Sequence, residues 1–262
     1  MSIMIEAVKT DEFEMRYFKF GTGDRTAVII PGLSVKSVMD SAGQVAAAYR
    51  AMKEDYTVYV FDRRLDCPDN YTVGQMADDT AKAFDMLGIK DVYLFGVSQG
   101  GMIAQLIALD YPELVHKLVL GSTAARVNKG GEKTILNWVR LAKKRDAVSL
   151  GRAFAKRVYS EEFYNKYGEL IAHFVGNATE EELDRFAVLA AGCEGFDVYD
   201  RLNQLKCPVL VIGAGRDKVL GVRASRELAK KAGAQLYIYE DYGHAVYDEA
   251  PDYLERVMKF FE

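Results

Sequence analysis

The sequence has little of several residues and patterns that would otherwise define a class of protein. It contains only three cysteines among 262 residues, an odd number at wide spacing, which argues against a disulfide framework and against a site of paired metal ligands. No apolar run approaches the roughly 18 residues that a membrane span requires. With 34 basic and 38 acidic residues the net charge is -4, so no general attraction to nucleic acid or to anionic lipid is expected.

The amino-terminal region also lacks a targeting pattern. Residues 1–15 mix acidic residues among apolar ones and do not have the basic and then apolar layout of a secretory signal. We therefore expect a cytoplasmic protein. Because no cluster of Cys and His residues has ligand spacing, we expect neither a metal ion nor an organic cofactor, and we expect a small molecule as the binding partner.

Apolar runs typical of strands alternate along the chain with helical segments, which predicts an α/β fold. A mainly parallel sheet of eight strands, covered by helices on both faces, would account for this order. Turn residues separate the runs at 3–8, 13–20 and 26–30, which predicts antiparallel strands at one edge of the sheet. The remaining strands are predicted at 57–61, 92–95, 117–120, 208–212 and 235–239.

One segment, residues 123–202, is far longer than a crossover between parallel strands requires, and its apolar residues recur at helical spacing. We predict four helices there, at 133–145, 147–159, 161–174 and 179–191. The chain is long enough for one large core, since 50% of its residues are hydrophobic. We therefore predict an α/β core of residues 1–122 and 203–262 with an inserted helical cap of residues 123–202.

A glycine-flanked serine follows one predicted strand and precedes an apolar helical stretch, in the segment Gly96-Val97-Ser98-Gln99-Gly100. A serine at the tip of such a turn is held in a strained backbone conformation, and the residues two before and two after it must be small to avoid collision. Gly96 and Gly100 meet that need. The pattern therefore predicts that Ser98 is a nucleophile.

A serine hydroxyl needs a general base to be nucleophilic at neutral pH, and that base needs a carboxylate to fix its tautomer. His244 is the histidine that lies on a loop after a strand, at the sheet edge expected for Ser98. His116 precedes a strand and His173 lies inside the predicted cap, so we interpret both as structural. Asp217 follows the strand at 208–212 and is the predicted orienting carboxylate.

Taken together, these segments resemble the α/β-hydrolase fold superfamily, in the serine hydrolase branch with a helical cap inserted after the sixth strand. The resemblance covers essentially the whole chain and rests on GVSQGG, GAGRDKV and GHAVYDEAPDYL, in the family's order of serine, acid and histidine. It implies a catalytic triad of Ser98, Asp217 and His244. It also implies an oxyanion hole made by the backbone N–H groups of Leu33 and Gln99.

The chain departs from the family pattern in two loops. Pro31 stands where relatives often have the histidine of a His-Gly pair, and the backbone up to Leu33 is still expected to turn inward. The Asp-x-Arg-Gly segment of many relatives reads DRRL here, without the glycine, and we expect Asp62 and Arg64 to form an ion pair at the rim.

The expected reaction is hydrolysis of a carboxylic ester or a related acyl bond, as in carboxylesterases, through an acyl-enzyme intermediate. The same triad serves acyltransferases and hydrolases of carbon-carbon bonds, which therefore stay open as alternatives. A receptor that keeps the fold and senses a small ligand without turnover is an alternative of another class. Aromatic residues of the predicted cap are candidate walls of the binding pocket: Trp138, Phe154, Tyr159, Phe163, Phe174 and Phe186.

Overall fold

One eight-stranded sheet organises the chain, and the computed structural model describes residues 3–262. The strands are β1 (Ile5–Lys9), β2 (Glu14–Phe20), β3 (Arg25–Ile30), β4 (Tyr56–Arg64), β5 (Val92–Val97), β6 (Val115–Gly121), β7 (Val209–Ala214) and β8 (Gln235–Tyr239). Their order across the sheet is β1-β2-β4-β3-β5-β6-β7-β8. β1 and β2 are antiparallel to their neighbours, and the other six strands run parallel. The predicted α/β class is confirmed.

Helices cover both faces of this sheet. They are α1 (Ala42–Ala48), α2 (Val73–Met86), α3 (Gln99–Asp110), α4 (Lys129–Lys143), α5 (Ala147–Val158), α6 (Glu161–Gly176), α7 (Glu180–Ala191), α8 (Val222–Ala232), α9 (Val246–Glu249) and α10 (Tyr253–Phe261). Helices α2, α3 and α8 pack on one face, and α1 and α10 pack on the other. Within residues 3–262, no helix combines the length and the apolar character needed to cross a membrane.

Strand β3 corrects one detail of the prediction. The sequence pattern grouped it with the antiparallel edge, but it lies inside the sheet, parallel to both β4 and β5. Its residues from Ala27 to Ile30 are all buried and contribute alternately to the apolar cores on the two faces. A continuous apolar run is typical of a parallel strand covered on both sides. In β3 this run indicates the position in the sheet correctly, whereas the preceding turn does not.

The long segment between β6 and β7 contains the four helices α4 to α7. Helix α4 packs against α7, and α5 packs against α6. Helix α4 begins four residues earlier than predicted because the side chain of Asn128 accepts hydrogen bonds from the N–H groups of Gly130 and Gly131 and caps its first turn. The division into a core of residues 1–122 and 203–262 and a cap of residues 123–202 stays a prediction.

Helix α3 approaches the sheet closely because its first turn carries glycine. A Cβ atom at Gly100 would lie 2.0 Å from the carbonyl oxygen of Ile30 and 2.5 Å from that of Pro31. A Cβ atom at Gly96 would lie 2.5 Å from the carbonyl oxygen of Gly100. These distances are far below van der Waals contact, so the helix can start beside β3 only if both positions lack a side chain.

We expect Gly100→Ala to lower the free energy of unfolding by about 3 kcal/mol or more, because the added methyl group collides with rigid backbone. The matched control is Gly43→Ala in α1, where a Cβ atom would have no neighbour within 4 Å. That control should raise the stability by about 0.5–1 kcal/mol, since alanine favours helix. Urea unfolding followed by circular dichroism measures both, and similar values for the two variants would contradict the prediction.

Candidate active site

Ser98 lies at the turn between β5 and α3 in a backbone conformation that non-glycine residues rarely adopt, with φ of 52° and ψ of -119°. Such a conformation costs roughly 1–3 kcal/mol and persists only where the surroundings hold it. Here the N–H of Ser98 donates to the carbonyl of Gly121 at 2.9 Å, and the hydroxyl of Thr123 donates to the carbonyl of Ser98 at 2.7 Å. This conformation places the hydroxyl of Ser98 at the carboxyl end of the sheet.

Ser98, His244 and Asp217 form one hydrogen-bonded chain. Ser98 Oγ lies 2.9 Å from His244 Nε2, and His244 Nδ1 lies 2.9 Å from Asp217 Oδ2. The His244 and Asp217 side chains are almost completely buried, at 3% and 2% exposed. The three residues come from the loops after β5, β7 and β8, because parallel strands end at the same edge of a sheet. The structure thus brings together the three residues predicted as a triad, and their catalytic role stays a prediction.

The carboxyl group of Asp217 is held in its charged form. Burial alone would raise its pKa, but the facing His244 and the N–H groups of Val219 and Leu220 hold the pKa below its ordinary value. Those two N–H groups donate to Oδ1 at 2.7 and 3.0 Å and leave Oδ2 to the imidazole. A carboxylate facing Nδ1 places the proton of a neutral imidazole on that nitrogen, so Nε2 can accept the proton of Ser98.

The other two histidines lie away from this site. His116 stands near the start of β6, at the opposite edge of the sheet, with Nδ1 3.0 Å from Asp91 Oδ1. His173 is exposed on α6. Asp241, the acidic residue nearest to His244 in the sequence, instead pairs with Arg216 at 2.6 Å. The choice of His244 and Asp217 from strand polarity therefore agrees with the observed geometry.

Leu33 and Gln99 both line the small cavity in front of Ser98. Their backbone N–H groups donate to no protein acceptor among residues 3–262. The N–H of Gln99 is free because it belongs to the first turn of α3, where no preceding helical carbonyl is available. Two unpaired donors beside a serine hydroxyl form the kind of site that can accept a negatively charged oxygen.

A buried arginine lies beneath these two donors, and sequence reasoning did not identify its role. Arg63 is 4% exposed, and its Nη2 donates to the carbonyl of Pro31 at 2.7 Å and to Oε1 of Gln99 at 3.1 Å. The amide nitrogen of Gln99 in turn donates to the carbonyl of Leu189 at 2.6 Å. One guanidinium thus joins the loop after β3 to the residue after the nucleophile. The only signal in the sequence was the pair of arginines that directly follows Asp62.

The predicted ion pair between Asp62 and Arg64 is wrong. Asp62 is buried and pairs with Arg185 of α7 at 3.1 Å, while Arg64 faces Asp79 at 3.6 Å. Burial alone would raise the pKa of Asp62, but Arg185 and Arg63 hold it below the ordinary value. The difference arises because α7 supplies the cation, and Arg185 lies 123 residues further along the chain than Asp62.

The cavity in front of Ser98 has a volume of about 30 Å³, which is room for about one water molecule. Most of its wall is apolar. Of the six aromatic residues predicted as walls, only Trp138 and Phe154 line it. Cys193 also lines it, but burial raises the pKa of its thiol to about 11, so it is protonated at neutral pH and is not a competing nucleophile.

Comparisons with known proteins agree with this architecture. A family model for the alpha/beta hydrolase fold matches residues 29–251. The poly(3-hydroxyalkanoate) depolymerase of Ectopseudomonas oleovorans is 30% identical over 196 residues, which are 73% of this chain and 68% of that protein. The 3-oxoadipate enol-lactonase 2 of Acinetobacter baylyi is 22% identical over 222 residues, covering 83% of this chain and 81% of that one.

Among solved structures, MGS-M2, an alpha/beta hydrolase enzyme from a Medee basin deep-sea metagenome library, has a TM-score of 0.88 at 22% identity. The alignment covers 98% of this chain and 97% of that one. Because the family model spans most of the sequence, and the sheet is eight-stranded and mainly parallel as this fold requires, the chain belongs to the α/β-hydrolase fold family.

Proposed function

We propose that the protein is a serine hydrolase that cleaves a carboxylic ester or a related acyl bond. The observation that carries the proposal is the chain of two 2.9 Å hydrogen bonds from Ser98 Oγ through His244 to a buried, charged Asp217. Two relatives, an enol-lactonase and a poly(3-hydroxyalkanoate) depolymerase, support an ester as the bond that is cleaved.

The reaction begins when Ser98 Oγ attacks the carbonyl carbon of the substrate and its proton passes to His244 Nε2. Asp217 stabilises the imidazolium that forms. The carbonyl oxygen becomes negatively charged in the tetrahedral intermediate, where the N–H groups of Leu33 and Gln99 stabilise it. The intermediate collapses as the bond to the alcohol oxygen breaks and His244 gives that oxygen its proton, which leaves an acyl group on Ser98.

Water completes the cycle. His244 removes a proton from a water molecule that attacks the acyl carbon, and the second tetrahedral intermediate releases the carboxylic acid as the proton returns to Ser98 Oγ. The cavity of about 30 Å³ holds little more than that water. Substrate binding therefore requires displacement of cavity-lining side chains, of which Trp138 of α4, Phe154 of α5 and Tyr247 of α9 are large and aromatic. On this proposal, residues 123–202 act as the cap over the site.

A fluorophosphonate should add one adduct to the wild-type protein, because the reagent requires an activated serine and little substrate specificity. Ser98→Ala should abolish the adduct. The matched control is Ser149→Ala, which removes a hydroxyl from α5 and should leave the adduct unchanged. Intact mass spectrometry measures all three. Labelling that persists in Ser98→Ala would contradict the assignment, and an unlabelled but folded wild type would favour the receptor alternative.

Asp217→Asn should lower kcat by roughly a thousandfold to ten-thousandfold, because an amide can present its N–H to His244 and stabilise the wrong tautomer. Asp241→Asn is the matched control: it lies closer to His244 in the sequence but faces Arg216 on the surface, and its kcat should stay near wild type. Steady-state hydrolysis of a para-nitrophenyl ester measures both. Equal losses in the two variants would contradict the choice of acid.

Arg63→Met should lower kcat by roughly tenfold or more with little change in KM, because the loop after β3 and Gln99 lose the group that holds them together. The matched control is Arg64→Met, the same substitution one residue along β4, where the guanidinium donates to carbonyl groups outside the cavity. Melting temperatures of both variants check the fold. A folded Arg63→Met protein with kcat within about twofold of wild type would exclude this positioning role.

A further inference from the structure

A second and much larger space adjoins the cavity of Ser98. It is an open cleft of about 850 Å³ between α4, α5 and the segment that follows β7. The cleft and the inner cavity share three wall residues, Trp138, Val219 and Leu220. The two spaces are therefore separated by single side chains, and a molecule that reaches Ser98 from this side passes through the cleft.

The charges around this cleft are almost all of one sign. Five basic side chains line it: Lys133, Lys156, Arg157, Lys218 and Arg223. The one carboxylate in the wall is Asp217, whose oxygens are occupied by His244 and by two backbone N–H groups. This distribution contrasts with the net charge of the whole chain, which is -4. We call this space the cationic cleft.

Four of these five cations have no carboxylate partner. Arg223 pairs with Glu227 at 2.7 Å, but Lys133, Lys156, Arg157 and Lys218 form no salt bridge with any of residues 3–262. Unpaired lysines also occur elsewhere in the chain, so the feature that marks the cleft is that four unpaired cations line one concave surface. Several unpaired charges of one sign around a concave surface reinforce one another's potential and attract an ion of opposite sign.

We propose that the substrate carries an anionic oxygen group, a carboxylate or a phosphate monoester, which the cationic cleft binds while the acyl bond lies at Ser98. The inference rests on the proposed function, because it takes the inner cavity as the place of the reaction. It adds a substrate class, namely esters with a negatively charged end. In the bound substrate, the side chains of Trp138 and Val219 would lie between that charged end and the carbonyl group at Ser98. The apolar inner wall suits the uncharged middle of such a molecule.

The first test compares esters that differ only in the charge of the remote end. One pair is para-nitrophenyl hydrogen adipate and para-nitrophenyl methyl adipate. The other is the butyrate ester of hexanediol monophosphate and the butyrate monoester of hexanediol. We expect kcat/KM to favour the anionic member of at least one pair by roughly tenfold, the combined effect of several exposed ion pairs. The pair that responds distinguishes a carboxylate from a phosphate ligand.

Salt and charge reversal then locate the preference. The ratio of kcat/KM for the anionic ester to that for the neutral ester should fall toward one at about 1 M NaCl, where the screening length is about 3 Å. The double variant Lys133→Glu with Lys156→Glu should reduce the anionic-to-neutral ratio to about one or below. Lys218 is left in place because it adjoins Asp217. The matched control is Lys143→Glu with Lys144→Glu, which changes the net charge equally at exposed positions outside the cleft and should keep the wild-type ratio.

Binding without turnover gives an independent measurement. Trp138 is the single tryptophan of the chain and lines both spaces, so its fluorescence reports on occupancy of either. In the Ser98→Ala protein, monomethyl adipate or hexyl phosphate should change this fluorescence at lower concentration than hexanol does. The effect should disappear in Ser98→Ala combined with the two charge reversals at Lys133 and Lys156.

These outcomes separate the inference from the function on which it rests. Fluorophosphonate labelling of Ser98 together with anionic-to-neutral ratios below about two in both pairs would overturn the cationic cleft as a substrate site and leave the hydrolase proposal standing. A ratio that survives charge reversal unchanged would also overturn it. Fluorescence binding of the anions by a folded protein that is not labelled at Ser98 would support the cleft as an anion site and favour the receptor alternative over hydrolysis.

Discussion

The contact between the start of α3 and the end of β3 sets the geometry on which the rest of the site depends. Gly100 lies so close to the carbonyl groups of Ile30 and Pro31 that no side chain fits between them. This contact brings the residue after the nucleophile next to the loop that carries Leu33. The strained backbone of Ser98 and the two free N–H groups follow from that approach, because all three belong to the two segments that meet there.

Most of the buried charges around this contact are paired with a charge of opposite sign. Asp217 faces His244, and Asp62 faces Arg185, in surroundings where an unpaired charge would cost several kcal/mol. Arg63 is also buried, but its bonds go to a carbonyl and an amide oxygen rather than to a carboxylate side chain. Such polar networks are sensitive to small displacements, since each lost bond leaves a partner unsatisfied away from water. They therefore favour one arrangement of the loops over nearby alternatives.

Much of this architecture was predictable from the sequence, and the reason is the polarity of parallel strands. Once Ser98, Asp217 and His244 are each assigned to the loop after a strand, their meeting at one edge follows from topology. The side chains and carbonyl groups that Arg63 and Arg64 contact could not be predicted from this topology. Periodicity tells which face of a strand a residue occupies, but it does not tell which distant helix covers that face. The position of β3 was missed for a related reason, because turn residues indicate a reversal of the chain and not which strands pair.

The side chain of Gln99 connects the residue after Ser98 to helix α7. It accepts a hydrogen bond from Arg63 and donates to the carbonyl of Leu189 in α7, so the backbone that would hold a charged oxygen is attached to that helix. The cationic cleft opens between α4 and α5 instead. The hydrogen bonds that hold Gln99 in place therefore lie on the α7 side of the site, and the open cleft lies on the side of α4 and α5. The route by which a ligand would enter and the groups that would stabilise a charged oxygen thus belong to different helices.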